Sequence, residues 1–355
     1  MLPTRYVANQ QNRIPGGFGS VRPVHDEYLD RSVLFKSMHV PEENAQLEKE
    51  IRGLSSVRSR HIIDIYDVIY DTHGNVVGII IEQLTGRDYL GFHTEAVGDP
   101  VKYLTLIYQI AVALKDLHGA GIVHRDIKLE NMKESSAGIL KVFDFGISCA
   151  GTDYHTTQNR GTLVYAAPEL YQAGVKITPA MDIYALGVCC WTLASSQLPE
   201  ILLKRPPQTS GRASSLQSLF GTTINPAVLA VLDNCLHPDP SGRPSAVEIC
   251  ELLERHLLKG AHRGLFVQGS ETIYELSAEK PNVGIKIGTL GDLRVAYDGL
   301  SFRVAAVSGA VYINNVPAQS GAILHDACVL TYGTPDLGSS RQWVTFISSK
   351  PELVL

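Results

Sequence analysis

The densest chemistry in the chain lies in HRDIKLEN, residues 124–131. A carboxylate, Asp126, stands two residues before an ammonium, Lys128, and five before an amide, Asn131. Moving a phosphoryl group onto a hydroxyl calls for such a set. A carboxylate orients the hydroxyl and accepts its proton, a cation meets the charge of the travelling group, and a carboxylate or amide oxygen holds a divalent metal. Charged clusters of this size are more often solvated loops, so the segments around this one decide its meaning.

Those segments come in a telling order. KVFDFGIS reads as a strand ending in Asp144, Phe145 and Gly146. YAAPEL follows, with Ala167, Pro168 and Glu169. Upstream, IPGGFGSV contains Gly16, Gly17, Phe18 and Gly19 and runs on to Val21. Its glycines let a backbone approach phosphates with no Cβ in the way. VLFK places Lys36 on a strand, and LEKEIRGL places Glu50 on a helix, with Glu48 the competing choice. Downstream lie MDIYALG with Asp182 and HPDPSGRPS with Arg243.

Taken together, these motifs resemble the protein kinase family over about residues 5–259. The resemblance implies a bilobal α+β fold, with an N-lobe over 5–84 and a C-lobe over 85–259. It implies ATP as phosphoryl donor and Mg2+, with Mn2+ as a substitute. Gly16, Gly17, Phe18, Gly19, Val21 and Lys36 would hold the phosphates, and Glu50 would pair with Lys36. Asn131 and Asp144 would hold the metal. Asp126 would face the hydroxyl, and Lys128 the γ-phosphoryl group. Ile81 stands at the position that guards the adenine pocket, and the Glu82 carbonyl and Leu84 amide would bind adenine. Asp182 is implied to anchor the catalytic loop, and Arg243 to pair with Glu169.

Two features depart from the family pattern. Ile14 replaces the first glycine of the Gly-rich loop, and the spacing from Lys36 to Glu50 is short. Neither removes a group that would touch ATP or metal.

Lys128 in HRDIKLEN and Thr162 in RGTLVYAAPE resemble the Ser/Thr members of the family, so the implied substrate is a protein Ser or Thr hydroxyl. Arg125 is the kind of residue that binds an activation-loop phosphate. Thr152, Thr156 and Thr157 are acceptors in that segment, with Thr156 and Thr157 the sites expected for autophosphorylation. The competing reading is a solvated Thr-rich loop. The rival for the whole chain is a pseudokinase scaffold. Its usual sign is loss of the Lys or of one of the two Asp residues, and all three are present. A small-molecule phosphotransferase is disfavoured by the Ala-Pro-Glu segment and Thr162.

The elements needed to carry these residues are visible too. SVLFKSM reads as a strand and NAQLEKEIRGL as a helix. IIDIYDVIY and VVGIIIE flank the turn DTHGN as a hairpin. Leu104, Ile107, Tyr108, Ala111 and Leu114 mark one helix face, stopped at Gly119 and Gly121. MDIYALGVCCWTLAS is apolar nearly all round and predicts a buried helix. NPAVLAVLDNCL and SAVEICELLERHLL predict two more.

KGAHRG ends this pattern, and residues 260–264 read as a linker. Short alternating runs then predict a small all-β sandwich over 265–350: TIYELS, GIKIG, SFRVAAV, AVYINN, CVLTYG and QWVTFIS. This part resembles a forkhead-associated (FHA) domain, a family that binds phosphothreonine. Thr289 stands where that family has its Arg, and Val304 where it has its His. Ser301 fits, Asn314 or Asn315 could supply an amide, and Lys286, Arg294 or Arg303 are the cations that could substitute. Phosphothreonine binding and simple protein docking both remain open, docking being favoured. A kinase joined to such a module resembles a bacterial signalling kinase.

The chain has 355 residues and a net charge of −5, which gives no bulk electrostatic grip on nucleic acid or an acidic membrane. No apolar run reaches the roughly 20 residues that span a bilayer, and MLPTRYVANQ lacks the apolar core of a signal peptide. Six cysteines without CxxC spacing predict reduced, buried thiols. The expectation is a cytoplasmic protein.

Overall fold

The computed structural model describes residues 2–8, 14–15, 19–38, 48, 51, 55, 57–145, 149–150, 155–156, 163–269, 272–299, 301–324 and 327–351. Its contacts divide the chain into two compact units, Met1–Leu253 and Glu254–Leu355.

The first unit opens with an antiparallel sheet built from β1 (Tyr6–Ala8), β2 (Ile14–Pro15), β3 (Gly19–Asp26), β4 (Arg31–Met38), β5 (Ile65–Tyr70) and β6 (Val76–Glu82). The order is β1-β3-β4-β6-β5, with β2 paired to β3. The expected strand around Lys36 and the expected hairpin are β4 and the β5–β6 pair. Val24, Val33, Phe35, Ile69 and Ile80 share one core with Tyr6. At the β1 edge Arg5 donates to both carboxylate oxygens of buried Asp26 at 2.6 and 2.7 Å, and Tyr6 Oη on β1 reaches Asp67 on the opposite edge strand β5 at 2.7 Å. The helix expected over NAQLEKEIRGL falls almost wholly outside the described residues.

Helices follow. In α1 (Pro100–Gly119), Asp99 caps the start by accepting from Lys102 N, and Pro100 occupies the first turn. Past its end, Gly121 takes φ +73°, a left-handed turn that suits a residue without Cβ. Buried α2 (Pro179–Ala194) is apolar on nearly every side, as its sequence predicts. A Cβ on its Gly187 would lie 2.7 Å from Leu236 Cγ, so glycine is what allows that approach. Among the described residues the other helices longer than one turn are α3 (Pro226–Asn234) and α4 (Ala246–Leu257). Between α1 and α2 run the short strands β7 (Ile122–Val123), β8 (Met132–Glu134) and β9 (Leu140–Val142).

The second unit is all β. One sheet orders its strands as Thr272–Leu276, Gly264–Gln268, Gln342–Ser348, Ala327–Tyr332, Val311–Ile313 and Val316–Pro317. A second sheet holds Asn282–Ile287, Gly291–Tyr297 and Phe302–Gly309. Burial alternates along these strands, and the inward residues of both sheets, among them Phe266, Leu293, Val295, Phe302, Leu330 and Phe346, form one core. Strand Gly264–Gln268 was not among the expected strands. It starts at Gly264, the last residue assigned to the linker, and its apolar run Leu265–Val267 shows no alternation that would mark a half-buried strand.

Among the described residues no helix is long and apolar enough to cross a membrane. Cys189, Cys190, Cys235, Cys250 and Cys328 are free and buried, as expected, while the side chain of Cys149 lies outside the described set.

Candidate active site

The loop after β7 is held by one buried carboxylate. Asp182, in the first turn of α2, accepts from His124 N and Arg125 N at 2.8 Å each and pairs with His118 Nε2 at 2.9 Å. Burial alone would raise the Asp182 carboxyl, but His118 and the backbone donors outweigh it and hold it below the usual carboxylate range. With both N–H groups satisfied, Arg125 can stand at φ +70°, an uncommon conformation for a residue with a Cβ. His124 is wholly buried, and burial lowers its pKa, so its imidazole is neutral near pH 7. Its Nδ1 accepts from Asp126 N at 3.2 Å, which leaves the proton on Nε2, facing Phe143 O at 3.2 Å.

This loop brings Asp126, Lys128 and Asn131 together. Lys128 Nζ donates to Asp126 Oδ2 at 2.7 Å. Asn131 Nδ2 donates to the same oxygen at 3.0 Å and to Asp126 O at 2.8 Å. That orientation of the amide turns its oxygen away from Asp126. Asn131 O in turn accepts from Phe143 N at 3.0 Å, which ties the loop to the segment carrying Asp144.

Asp144 follows β9 at φ +66°. Lys36 Nζ, from β4, lies 3.0 Å from Asp144 Oδ1. Burial would raise the Asp144 carboxyl; the charge of Lys36 and its hydrogen bond, with smaller help from His124 and Lys128, outweigh that and lower it. It is therefore ionised at neutral pH. A carboxylate and an amide oxygen are hard donors of the kind Mg2+ takes when most of its other ligands are water and phosphate. No group of three or more His, Cys, Asp or Glu among the described residues is arranged to hold a metal by itself.

Ile81 is buried at the end of β6, paired with Leu34 and Ile65, and Glu82 and Leu84 follow it. Val21 lies on β3 opposite Lys36. Gly19 starts β3, whereas Gly16, Gly17 and Phe18 lie outside the described residues, as do Glu50, Thr157 and Thr162. Thr156 is described through its backbone, which pairs with Val175. Glu169 and Arg243 meet as expected: the guanidinium binds both carboxylate oxygens at 2.7 Å and also donates to the carbonyls of Ala180, His237 and Pro238.

Two contributors escaped the sequence reading. His118, in the last turn of α1, belongs to no motif of the sequence, and only its contact with Asp182 shows its part. Lys141 stands in KVFDFGIS outside its motif, yet a lysine buried in the three-residue strand β9 needs charge partners of its own. It has two, Asp64 and Glu82.

In the second unit, Ser301 and Arg303 are engaged from within. Asp298 accepts from Ser301 N at 2.7 Å, Ser301 Oγ at 3.0 Å and Arg303 Nε at 2.9 Å. Val304 is core, and Lys286 and Arg294 lie exposed on neighbouring strands. Asn314 and Asn315, at φ +48° and +67°, are the two central residues of the turn joining Ile313 to Val316, and Asn314 Oδ1 accepts from Val329 N.

The family model of the protein kinase domain matches residues 15–253. A serine/threonine-protein kinase named drp72 from Corynebacterium efficiens is 33% identical over 197 residues, 52% of this chain and 38% of the relative. The probable serine/threonine-protein kinase PknB of Lactococcus lactis is 30% identical over 194 residues, 52% of this chain and 30% of the relative. Serine/threonine-protein kinase PrkC of Bacillus subtilis is 32% identical over 194 residues, 52% of this chain and 29% of the relative. The chain thus spans between 29% and 38% of the length of these three relatives.

Proposed function

The chain belongs to the protein kinase family, and on that footing we propose that it is an ATP-dependent protein serine/threonine kinase, transferring the γ-phosphoryl group to Ser or Thr hydroxyls, its own included. The observation that carries this reading is the joining of Asp126, Lys128 and Asn131 on one loop, with Asp144 held against Lys36. A bound Mg2+ or Mn2+, held by Asn131 and Asp144, supplies positive charge to the phosphates of ATP.

The chain's own groups do the rest. Lys36 and the backbone of Gly16 to Gly19 bind phosphate oxygens, and Glu50 keeps Lys36 in place. Glu82 and Leu84 present backbone groups to adenine beneath Ile81. Asp126 orients the acceptor hydroxyl and takes its proton, and Lys128 meets the developing charge on the γ-phosphoryl group. Catalysis of this kind rests on position and electrostatics. Thr162 belongs to the platform for the acceptor, and Thr156 or Thr157 is the autophosphorylation site that orders the activation segment.

The test is phosphotransfer from labelled ATP with Mg2+, comparing the chain with Asp126→Asn, followed by mass-spectrometric mapping. Asp126→Asn is expected to keep ATP binding and to lose roughly 100- to 10,000-fold in transfer. Equal transfer by both proteins would defeat the assignment. ATP binding without transfer by the wild type would point to a scaffold.

For the second unit the reading is an FHA-like module used for docking or regulation. Support comes from its two-sheet core and from Asp298, whose carboxylate occupies Ser301 and Arg303. A phosphate dianion needs such donors for itself. Fluorescence titration with phosphothreonine peptides is expected to show no binding, and saturable binding would reverse this preference.

A further inference from the structure

Outside the groups assigned to phosphoryl transfer, a buried ammonium is shared by two carboxylates, one half-buried and one exposed. Lys141, on β9 and three residues before Asp144, is 8% exposed, and its Nζ lies 2.7 Å from Asp64 Oδ2 and 2.6 Å from Glu82 Oε2. Three stretches of chain meet at this ammonium. Glu82 ends β6, Asp64 precedes β5, and Lys141 lies 77 residues from Asp64 and 59 from Glu82. Backbone bonds run along the same path: Glu82 N donates to Asp64 O, Ile63 N to Val142 O, and Val142 N to His61 O.

We propose that Lys141 is a positioning residue for nucleotide, fixing the backbone that follows β6 in register with the strand that delivers Asp144. This rests on the reading of Glu82 and Leu84 as the adenine-facing segment. The chemistry favours a bridge of this kind. One ammonium shared by two carboxylates orients both, and burial strengthens the contact to Glu82 more than that to exposed Asp64. Desolvation would lower the Lys141 pKa, but hydrogen bonds to Asp64 and Glu82 outweigh it, so the charge persists well above neutral pH. Glu82 is held through its side chain by Lys141 and through its N–H by Asp64 O, and it stands opposite Val33 at the end of the β4–β6 ladder. Losing the first hold frees the end of β6 to shift, while Asp126, Lys128 and Asn131 keep their own contacts.

The effect should therefore fall on KM for ATP and spare kcat. Lys141→Met, Glu82→Gln and Asp64→Asn are assayed in the full chain for KM, kcat and, by calorimetry, Kd for ATP. Thermal unfolding of each variant checks that it folds. Lys141→Met is expected to raise KM and Kd about tenfold, with kcat at saturating ATP within about twofold. Glu82→Gln, which needs no buried charge to go unpaired, is expected to raise KM by a smaller factor and carries the test if Lys141→Met does not fold. Adding Glu82→Gln and Asp64→Asn to Lys141→Met should recover part of the loss, because no carboxylate is then left facing another.

Unchanged KM and Kd in the folded variants would overturn the proposal. So would a rise in kcat at constant KM, which would make the cluster a restraint on motion. A wild type that binds ATP and transfers nothing defeats the catalytic reading alone, because Kd still reads the cluster. A wild type that binds no ATP overturns both.

Discussion

Arg125 and Asp144, which bracket the proposed reaction, both hold left-handed backbone conformations. Each costs roughly 1 to 3 kcal/mol in a residue with a Cβ and persists only where its surroundings impose it. For Arg125 the imposing group is Asp182, which takes the N–H of that residue and of His124. Asp182→Ala would bury both donors without an acceptor, at roughly 1 to 3 kcal/mol each. Urea denaturation should therefore show a loss of about 2 to 6 kcal/mol, and transfer activity should fall further than stability as Arg125 relaxes. A change under about 1 kcal/mol would show that Asp182 does not hold the loop.

Among the elements, the segment Pro168–Tyr171 and helix α2 are joined by Arg243, which binds Glu169 and the Ala180 carbonyl with its side chain wholly buried. Breaking a buried pair by removing one partner costs about 3 to 5 kcal/mol. Arg243→Leu and Glu169→Leu should each cost this much in denaturant, and the double variant should cost less than their sum. Additive losses would mean the two do not interact. The clamp on the edge of the N-terminal sheet predicts an acid dependence. The hydrogen bonds from Arg5 outweigh the desolvation that would raise the Asp26 carboxyl, and they lower it from 3.8 to about 2. An unfolded chain then binds the proton more readily than the folded one, so this contribution is complete above pH 3.8 and is lost as pH falls towards about 2. Asp26→Asn should flatten stability against pH across that window; an unaltered slope would remove the clamp from the account. The strands β4, β5 and β6, the helices α1 to α4 and most strands of the second unit were legible in the sequence because each is a contiguous run whose period or spacing carries its own signal, whereas Gly264–Gln268 and Gly291–Tyr297 were not. The sequence was silent on Arg5 with Asp26, His118 with Asp182, and Lys141 with Asp64 and Glu82. In those contacts the partners lie 21 to 77 residues apart, and nothing local tells a buried lysine from a solvated one.

At the scale of the molecule, two units with separate cores predict calorimetric unfolding in two steps, of which ATP with Mg2+ should raise only the one belonging to Met1–Leu253. A rise in both, or a single step, would mean that the units unfold together. Within the first unit, β9 has a consequence for time as well as for place. It is three residues long, and its Leu140 is pinned by Gln109 from 31 residues away and by His61 from 79. Contacts that close long loops form late, since the entropy of closure comes before the reward. Refolding should accordingly restore core fluorescence first and phosphotransfer afterwards, with a lag that lengthens in Gln109→Ala. On a ribosome the order is the chain's own: Asp64 and Glu82 emerge 77 and 59 residues before Lys141, so a nascent chain carries two carboxylates with no shared cation until β9 arrives to join them.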